Sequence, residues 1–272
     1  CFHLLEDKGE LIFIVPSDFI KLTSSTKIIN LMIDSGTFTH IIHPNDESLF
    51  EKASIDVIIF RYCKDNSLSN KILVNETDKY LINTNGILTF SDTNQINSKT
   101  LGNYFDIYVG LVTGKERVYK NNKFGNISLL NGKDKSSKYI FIEDFPTDNP
   151  NLNKYMLQHK DILINRKIRK FNDDNWFEWG APRNISSIKK NLGKPCIYVS
   201  NLTRNNEVAF IDNVKHFGGN LLMMIPKKKL DLNIVVHYLN SDTFKNNYIY
   251  SGRFKIGHKQ LCNSLFNIPT NT

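Results

Sequence analysis

Two continuous apolar runs constrain this chain more than any other feature. Leu11–Val15, closed by Pro16, has the pattern of a strand buried on both faces, and Ser54–Cys63, rich in β-branched and aromatic residues, reads as a further strand. Between them, Ser25–Ser35 sets Ile28, Leu31 and Met32 at helical spacing, with Gly36 as its C-cap, and Phe38–Ile42 reads as a further short strand. Three strands and one helix cannot cover the apolar faces of such a sheet, so its partner strands must come from elsewhere. The expectation is an incomplete α/β sheet. The chain begins at Cys1, and Phe2-His3-Leu4-Leu5 reads as the end of a helix, which fits a fragment of a larger protein.

Residues 66–104 change character. Ile72–Val74, Tyr80–Ile82 and Gly86–Phe90 are short strand-like runs and Ser91–Thr100 is polar and turn-rich, so the stretch reads as a linker or insert. From 105 to 272 the pattern predicts a second domain, mixed α+β, with no repeat of fixed period. Val208–Phe217, Gly218-Gly219-Asn220 and Leu221–Ile225 read as strand, turn, strand. Leu232–Leu239 is a helix-like pattern, and Lys259–Phe266 is amphipathic.

The charge balance narrows the partners. Lys and Arg number 35 against 27 Asp and Glu, a net charge of +8. Such a surplus fits a polyanion, because counterion release from phosphates dominates nucleic-acid affinity; it also fits a surface of solvated lysines. No run of about 18 apolar residues exists to span a membrane. The four cysteines, Cys1, Cys63, Cys196 and Cys262, have neither zinc-site nor disulfide-framework spacing. A reducing cytoplasm follows, with Cys63 a buried thiol and the Asn-x-Ser/Thr sequons without meaning. No metal site is expected, and so no metal-dependent nuclease chemistry.

Four cation-bearing segments are candidates for phosphate contact. In Thr113–Lys120, Lys115, Arg117 and Lys120 surround a glycine turn that lacks P-loop spacing; its backbone amides and cations suit phosphates, as a solvated hairpin tip also would. Arg166-Lys167-Ile168-Arg169-Lys170 is the densest cluster. Arg183-Asn184 follows Trp176, Phe177 and Trp179, and this pair has the chemistry to read guanine and adenine edges. In Ser251–Lys259, alternation sets Arg253 and Lys255 opposite Phe254 and Ile256, with His258 and Lys259 beyond. Pro16 and Ser17 end a strand at its carboxyl edge, where ligands bind in open α/β sheets.

These segments carry a resemblance. Asp7-Lys8-Gly9 through Phe19, Leu49-Phe50-Glu51-Lys52-Ala53-Ser54, Val109-Gly110-Leu111-Val112-Thr113-Gly114 and Trp179-Gly180-Ala181-Pro182-Arg183-Asn184 occur in an order and spacing similar to N6-adenine DNA methyltransferases of the TaqI-like kind. The resemblance implies that residues 1–65 are the C-terminal half of a Rossmann-like catalytic domain, 66–104 a linker, and 105–272 a target-recognition domain. It implies S-adenosylmethionine as methyl donor, double-stranded DNA as partner and a restriction–modification setting. Phe50 becomes the aromatic face that holds a flipped adenine, with Pro16 beside it. The DNA contacts become Lys115, Arg117, Lys120, Arg166, Arg169, Arg183, Asn184, Arg253, Lys255 and Lys259. One departure stands out: the chain has neither the Asn/Asp-Pro-Pro-Tyr/Phe motif that receives the target amine nor a glycine-rich cofactor turn. The expectation is a chain inactive by itself, with the missing N-terminal catalytic half or a cognate restriction endonuclease as its protein partner. The alternative is a non-catalytic specificity subunit.

Overall fold

A computed structural model describes residues 1–44, 56–65, 67, 69–94, 99–250 and 252–266. They form two compact units, one of Cys1–Phe105, Leu202–Asn206 and His237–Thr272, the other of Asp106–Asn201 and Glu207–Val236.

The first unit is built on a six-stranded sheet. Its strands are β1 (Glu10–Pro16), β2 (Thr37–Ile42), β3 (Val57–Cys63), β4 (Lys71–Val74), β5 (Thr77–Thr84) and β6 (Ile87–Ser91), in the order β1-β3-β2-β4-β5-β6. β3 runs antiparallel to both β1 and β2, and only β2–β4 is a parallel pair. The helix Thr26–Ser35 buries Ile29 and Met32 against one sheet face. There Ile58, Phe60 and Tyr62 of β3 meet Ile41 and Phe38, and the Tyr62 hydroxyl donates to the Met32 carbonyl at 2.7 Å. Phe60 stacks between Phe13 and Phe19 at centroid distances of 6.2 and 5.9 Å.

Three expectations change here. β1 is not buried on both faces: it is an edge strand, with Ile12 66% and Ile14 60% exposed. Register sets Ile14 opposite Ile59 and Ile59 opposite Ile42, so one apolar row crosses three strands on the face away from the helix. Gly36 is no left-handed cap, since its φ of 171° is extended backbone. A glycine is needed there because a Cβ would stand 2.2 Å from the Cys63 carbonyl oxygen. Residues 66–104 do not pack as a linker; they supply β4–β6 of the same sheet. The first unit also takes the tail, as a small sheet of Leu202–Thr203, Arg253–Lys255 and Ile249–Tyr250.

The second unit holds β7 (Phe105–Val109), the hairpin β8 (Ile127–Gly132) and β9 (Lys135–Tyr139), then β10 (Pro195–Ser200), β11 (Ala209–Asn213) and β12 (Leu221–Pro226). The four-stranded sheet runs β11-β10-β12-β7. Central β10 buries Cys196, Ile197, Tyr198 and Val199 completely, the continuous apolar pattern of a strand covered on both faces. The helix Pro150–Gln158 starts on Asn149, whose side chain accepts from the Asn151 and Leu152 amides, with proline at its first position. Trp176, Phe177 and Trp179 lie in this unit's core, and the Trp179 indole donates to the Ile140 carbonyl at 2.8 Å.

Candidate nucleic-acid interface

Two sequence segments singled out separately meet in the second unit. Val112 and Ala181 form an antiparallel bridge, with amide-to-carbonyl bonds of 3.1 and 2.8 Å, and the Gly180 amide donates to the Thr113 carbonyl at 3.0 Å. On the other side Leu111 pairs with Gly218, and Phe217 pairs with Leu130 of β8. Gly110 abuts this junction so closely that a Cβ on it would lie 2.0 Å from the Gly218 carbonyl oxygen. The Val-Gly-Leu-Val-Thr-Gly and Trp-Gly-Ala-Pro-Arg-Asn segments are therefore neighbours in one backbone network.

Above this junction is an open groove of about 720 Å³. Its walls are the 111–116 segment, the β8–β9 hairpin and the turn Gly218-Gly219-Asn220. Lys115, Lys120 and Lys135 line it, and Glu116 is the acid among its lining residues. The Tyr139 hydroxyl donates to Glu116 Oε1 at 2.7 Å, and Lys120 Nζ stands 3.9 Å from the same oxygen. Burial, then the bond to Glu116, push the Tyr139 phenol well above its ordinary pKa, so it stays a donor at neutral pH. With Glu116 engaged by these two groups, Lys115 and Lys135 leave the groove cationic.

The expected contact residues distribute unevenly. Lys115 and Lys120 line the groove, and Arg117 is exposed on the short helix Glu116–Tyr119. Arg166 is a correction. It is 7% exposed, and its guanidinium donates to the Leu163, Thr113, Trp176 and Glu178 carbonyls at 2.7–2.8 Å while lying 3.9 Å over the Phe171 ring. Four of its five N–H groups are spent on these carbonyls and the side chain is buried, so it is not placed to meet phosphate. Arg169 bonds the Glu178 carboxylate and the Trp179 carbonyl, and so fastens the same loop. Arg183 is exposed; Asn184 has a left-handed φ of 61° and donates to the Val109 carbonyl at 3.3 Å.

In the first unit the predicted alternation holds. Phe254 and Ile256 are buried, Arg253 and Lys255 are exposed, and Lys255 pairs with Asp18 at 2.8 Å. Lys259 is exposed near the start of the helix His258–Asn263. Pro16 ends β1, and the following Ser17 amide donates to the Asp56 carbonyl at 2.9 Å. Phe50 lies outside the described residues. Sequence reading missed Asn131, Lys135, Ser137 and Asn220, all of which line the groove. Three of them lie on the β8–β9 hairpin, whose turn is Lys133-Asp134, with Asp134 at a positive φ of 56°. Among the described residues no group of three His, Cys, Asp or Glu side chains could hold a metal ion, and no helix is long and apolar enough to cross a membrane.

No family model matches the chain. Over 172 residues it is 32% identical to the Type II methyltransferase M.MjaIV of Methanocaldococcus jannaschii, a match covering 53% of this chain and 57% of that protein. To the Type II methyltransferase M.HindII of Haemophilus influenzae it is 23% identical, over 86% of this chain and 58% of that protein. The chain thus spans little more than half the length of these curated relatives. Among solved structures, the Type IIL restriction-modification enzyme MmeI in complex with DNA shares the fold, with a TM-score of 0.56 and 9% identity over 93% of this chain and 38% of that one.

Proposed function

We propose that this chain is part of an adenine-specific DNA methyltransferase of a restriction–modification system, which moves a methyl group from S-adenosylmethionine to N6 of adenine. In this reading residues 1–65 belong to the C-terminal half of the catalytic domain, and the second unit binds and reads duplex DNA. The observation that carries it is the groove: one segment that resembles a methyltransferase motif lines it, a second is bridged to that segment, and lysines line the walls. The similarity to Type II methyltransferases over most of the chain supports the same conclusion.

The first unit adds a physical argument. An edge strand with Ile12 and Ile14 exposed, continued across the sheet by Ile59 and Ile42, is a costly arrangement in water and an aggregation hazard. Further strands and helices of a catalytic domain would cover it, and the cofactor and target-amine motifs would lie on them. Within that domain Pro16 and Phe50 would face the flipped base.

Titration of labelled duplex with the chain at several salt concentrations tests DNA binding. Affinity should fall linearly on a double-logarithmic plot, with a slope near −0.9 per neutralised phosphate. Lys115→Ala and Lys135→Ala should each reduce the slope by about one. Slopes unchanged in both variants would remove the groove from the interface.

A further inference from the structure

The groove holds a pair of amide oxygens whose placement goes beyond general phosphate attraction. Asn131 Nδ2 donates to the Leu129 carbonyl at 3.3 Å, and Asn220 Nδ2 donates to the Asn131 carbonyl. One N–H of each amide is thus spent on a backbone carbonyl, which sets each oxygen on the opposite side of its amide. Those oxygens converge over Gly218: a Cβ built there would stand 2.6 Å from Asn131 Oδ1 and 3.0 Å from Asn220 Oδ1. Among the described residues no donor is recorded to either oxygen. The turn is held from below, since the Asn201 side chain donates to the Gly219 carbonyl at 2.7 Å and the Gly218 amide to the Leu130 carbonyl at 2.9 Å.

We propose that Asn131 and Asn220 form a reader for one exocyclic amino group, adenine N6 or cytosine N4, on the major-groove edge of the bound duplex. The inference rests on the DNA-binding reading above and names a specificity determinant within it. Two fixed acceptors side by side accept from an amine and repel a carbonyl. Guanine O6 and thymine O4 would bring acceptor against acceptor at both oxygens. Neighbouring Lys115 and Lys135 suit the acceptors and phosphates that flank such an amine. Gly218 is the hinge of the arrangement, because any side chain there would displace both oxygens.

The test begins with the chain selecting duplexes from a randomised pool at fixed salt. Failure to enrich any motif would refute the DNA reading itself, separately from this proposal. Given a motif, each adenine is replaced in turn by purine and each cytosine by 2-pyrimidinone, which removes only the amine. One position should then lose about tenfold in affinity, the scale of a base-specific contact. Asn220→Ser and, independently, Asn131→Ser should bind the parent duplex about as weakly as wild type binds the amine-less one, and should be indifferent to amine removal at that position. Tryptophan fluorescence of each variant checks that the second unit is folded. Wild-type protein with no amine-dependent position overturns the proposal without any variant. Variants that keep full sensitivity to amine removal overturn it as well.

Discussion

Replacing Arg166 separates a structural cation from a DNA-binding one. Its guanidinium bonds four backbone carbonyls, of Leu163, Thr113, Trp176 and Glu178, in a site only 7% exposed. Methionine fills similar volume but donates nothing. Each hydrogen bond from a charged donor contributes about 1.5–3 kcal/mol, but the desolvation of the guanidinium that Arg166→Met also removes offsets part of that sum. A net loss of about 4 kcal/mol is the working figure, against roughly 5–15 kcal/mol for a whole domain. That corresponds to a fall in Tm of about 15 °C for a unit of this size. Arg166→Lys should recover only part of the loss, because an ammonium lacks the planar fork that spans four acceptors. The assay is convenient: both tryptophans of the chain, Trp176 and Trp179, are buried in the same unit, so urea unfolding followed by their fluorescence reports on it. An Arg166→Met midpoint within about 0.5 kcal/mol of wild type would refute the argument, the more so if DNA affinity fell instead.

Two further outcomes follow from the same packing. Gly110→Ala would place a Cβ 2.0 Å from the Gly218 carbonyl oxygen, backbone against backbone, and should cost on the order of 3 kcal/mol in the same fluorescence assay; a neutral variant would mean that the junction can spread. Lys21 is buried, and burial drives its pKa from 10.5 down to about 7, with Asp18 opposing the shift. Below pH 7 the amine is charged in both states and the penalty on folding is full; between pH 7 and 10.5 the unfolded chain holds more protons, so stability rises with pH. Lys21→Met should therefore stabilise the first unit by on the order of a few kcal/mol at pH 6 and by little at pH 10.5, as measured by urea denaturation followed by circular dichroism. Equal gains at both values would contradict the shifted pKa.

Where the sequence was legible, periodicity or alternation was strong and local. The helix Thr26–Ser35, the strands Thr37–Ile42 and Leu221–Pro226, and the helix Leu232–Asn240 stand within a residue or two of their expected places. Arg253 and Lys255 alternate with Phe254 and Ile256 as two-residue periodicity requires. Within residues 66–104 the short strands were legible but their place in the main sheet was not, because the pairing of short runs is set by their turns. Asn85-Gly86 joins β5 to β6 with both φ values positive, at 52° and 78°, a hairpin signal written plainly in the sequence. Asn75-Glu76 joins β4 to β5 with the same sign pattern, and a glutamate at φ 66° could not have been foreseen. The Asn149-Pro150 helix start was visible and went unread. Arg166 misled for a different reason: a cluster of five residues looks like one basic face, while the choice of which cation turns inward depends on carbonyls some 3 to 53 positions away. The groove asparagines were illegible because they come together only when the β8–β9 hairpin meets the 218–220 turn.

The account stands or falls on the product of the reaction. The complete reading frame that contains this chain should be expressed and incubated with S-adenosylmethionine labelled in the methyl group and with unmethylated DNA, and the DNA then digested to nucleosides for mass spectrometry. The account predicts label in N6-methyladenine, at one fixed sequence. Label in a methylated cytosine, or no transfer to DNA, would contradict it.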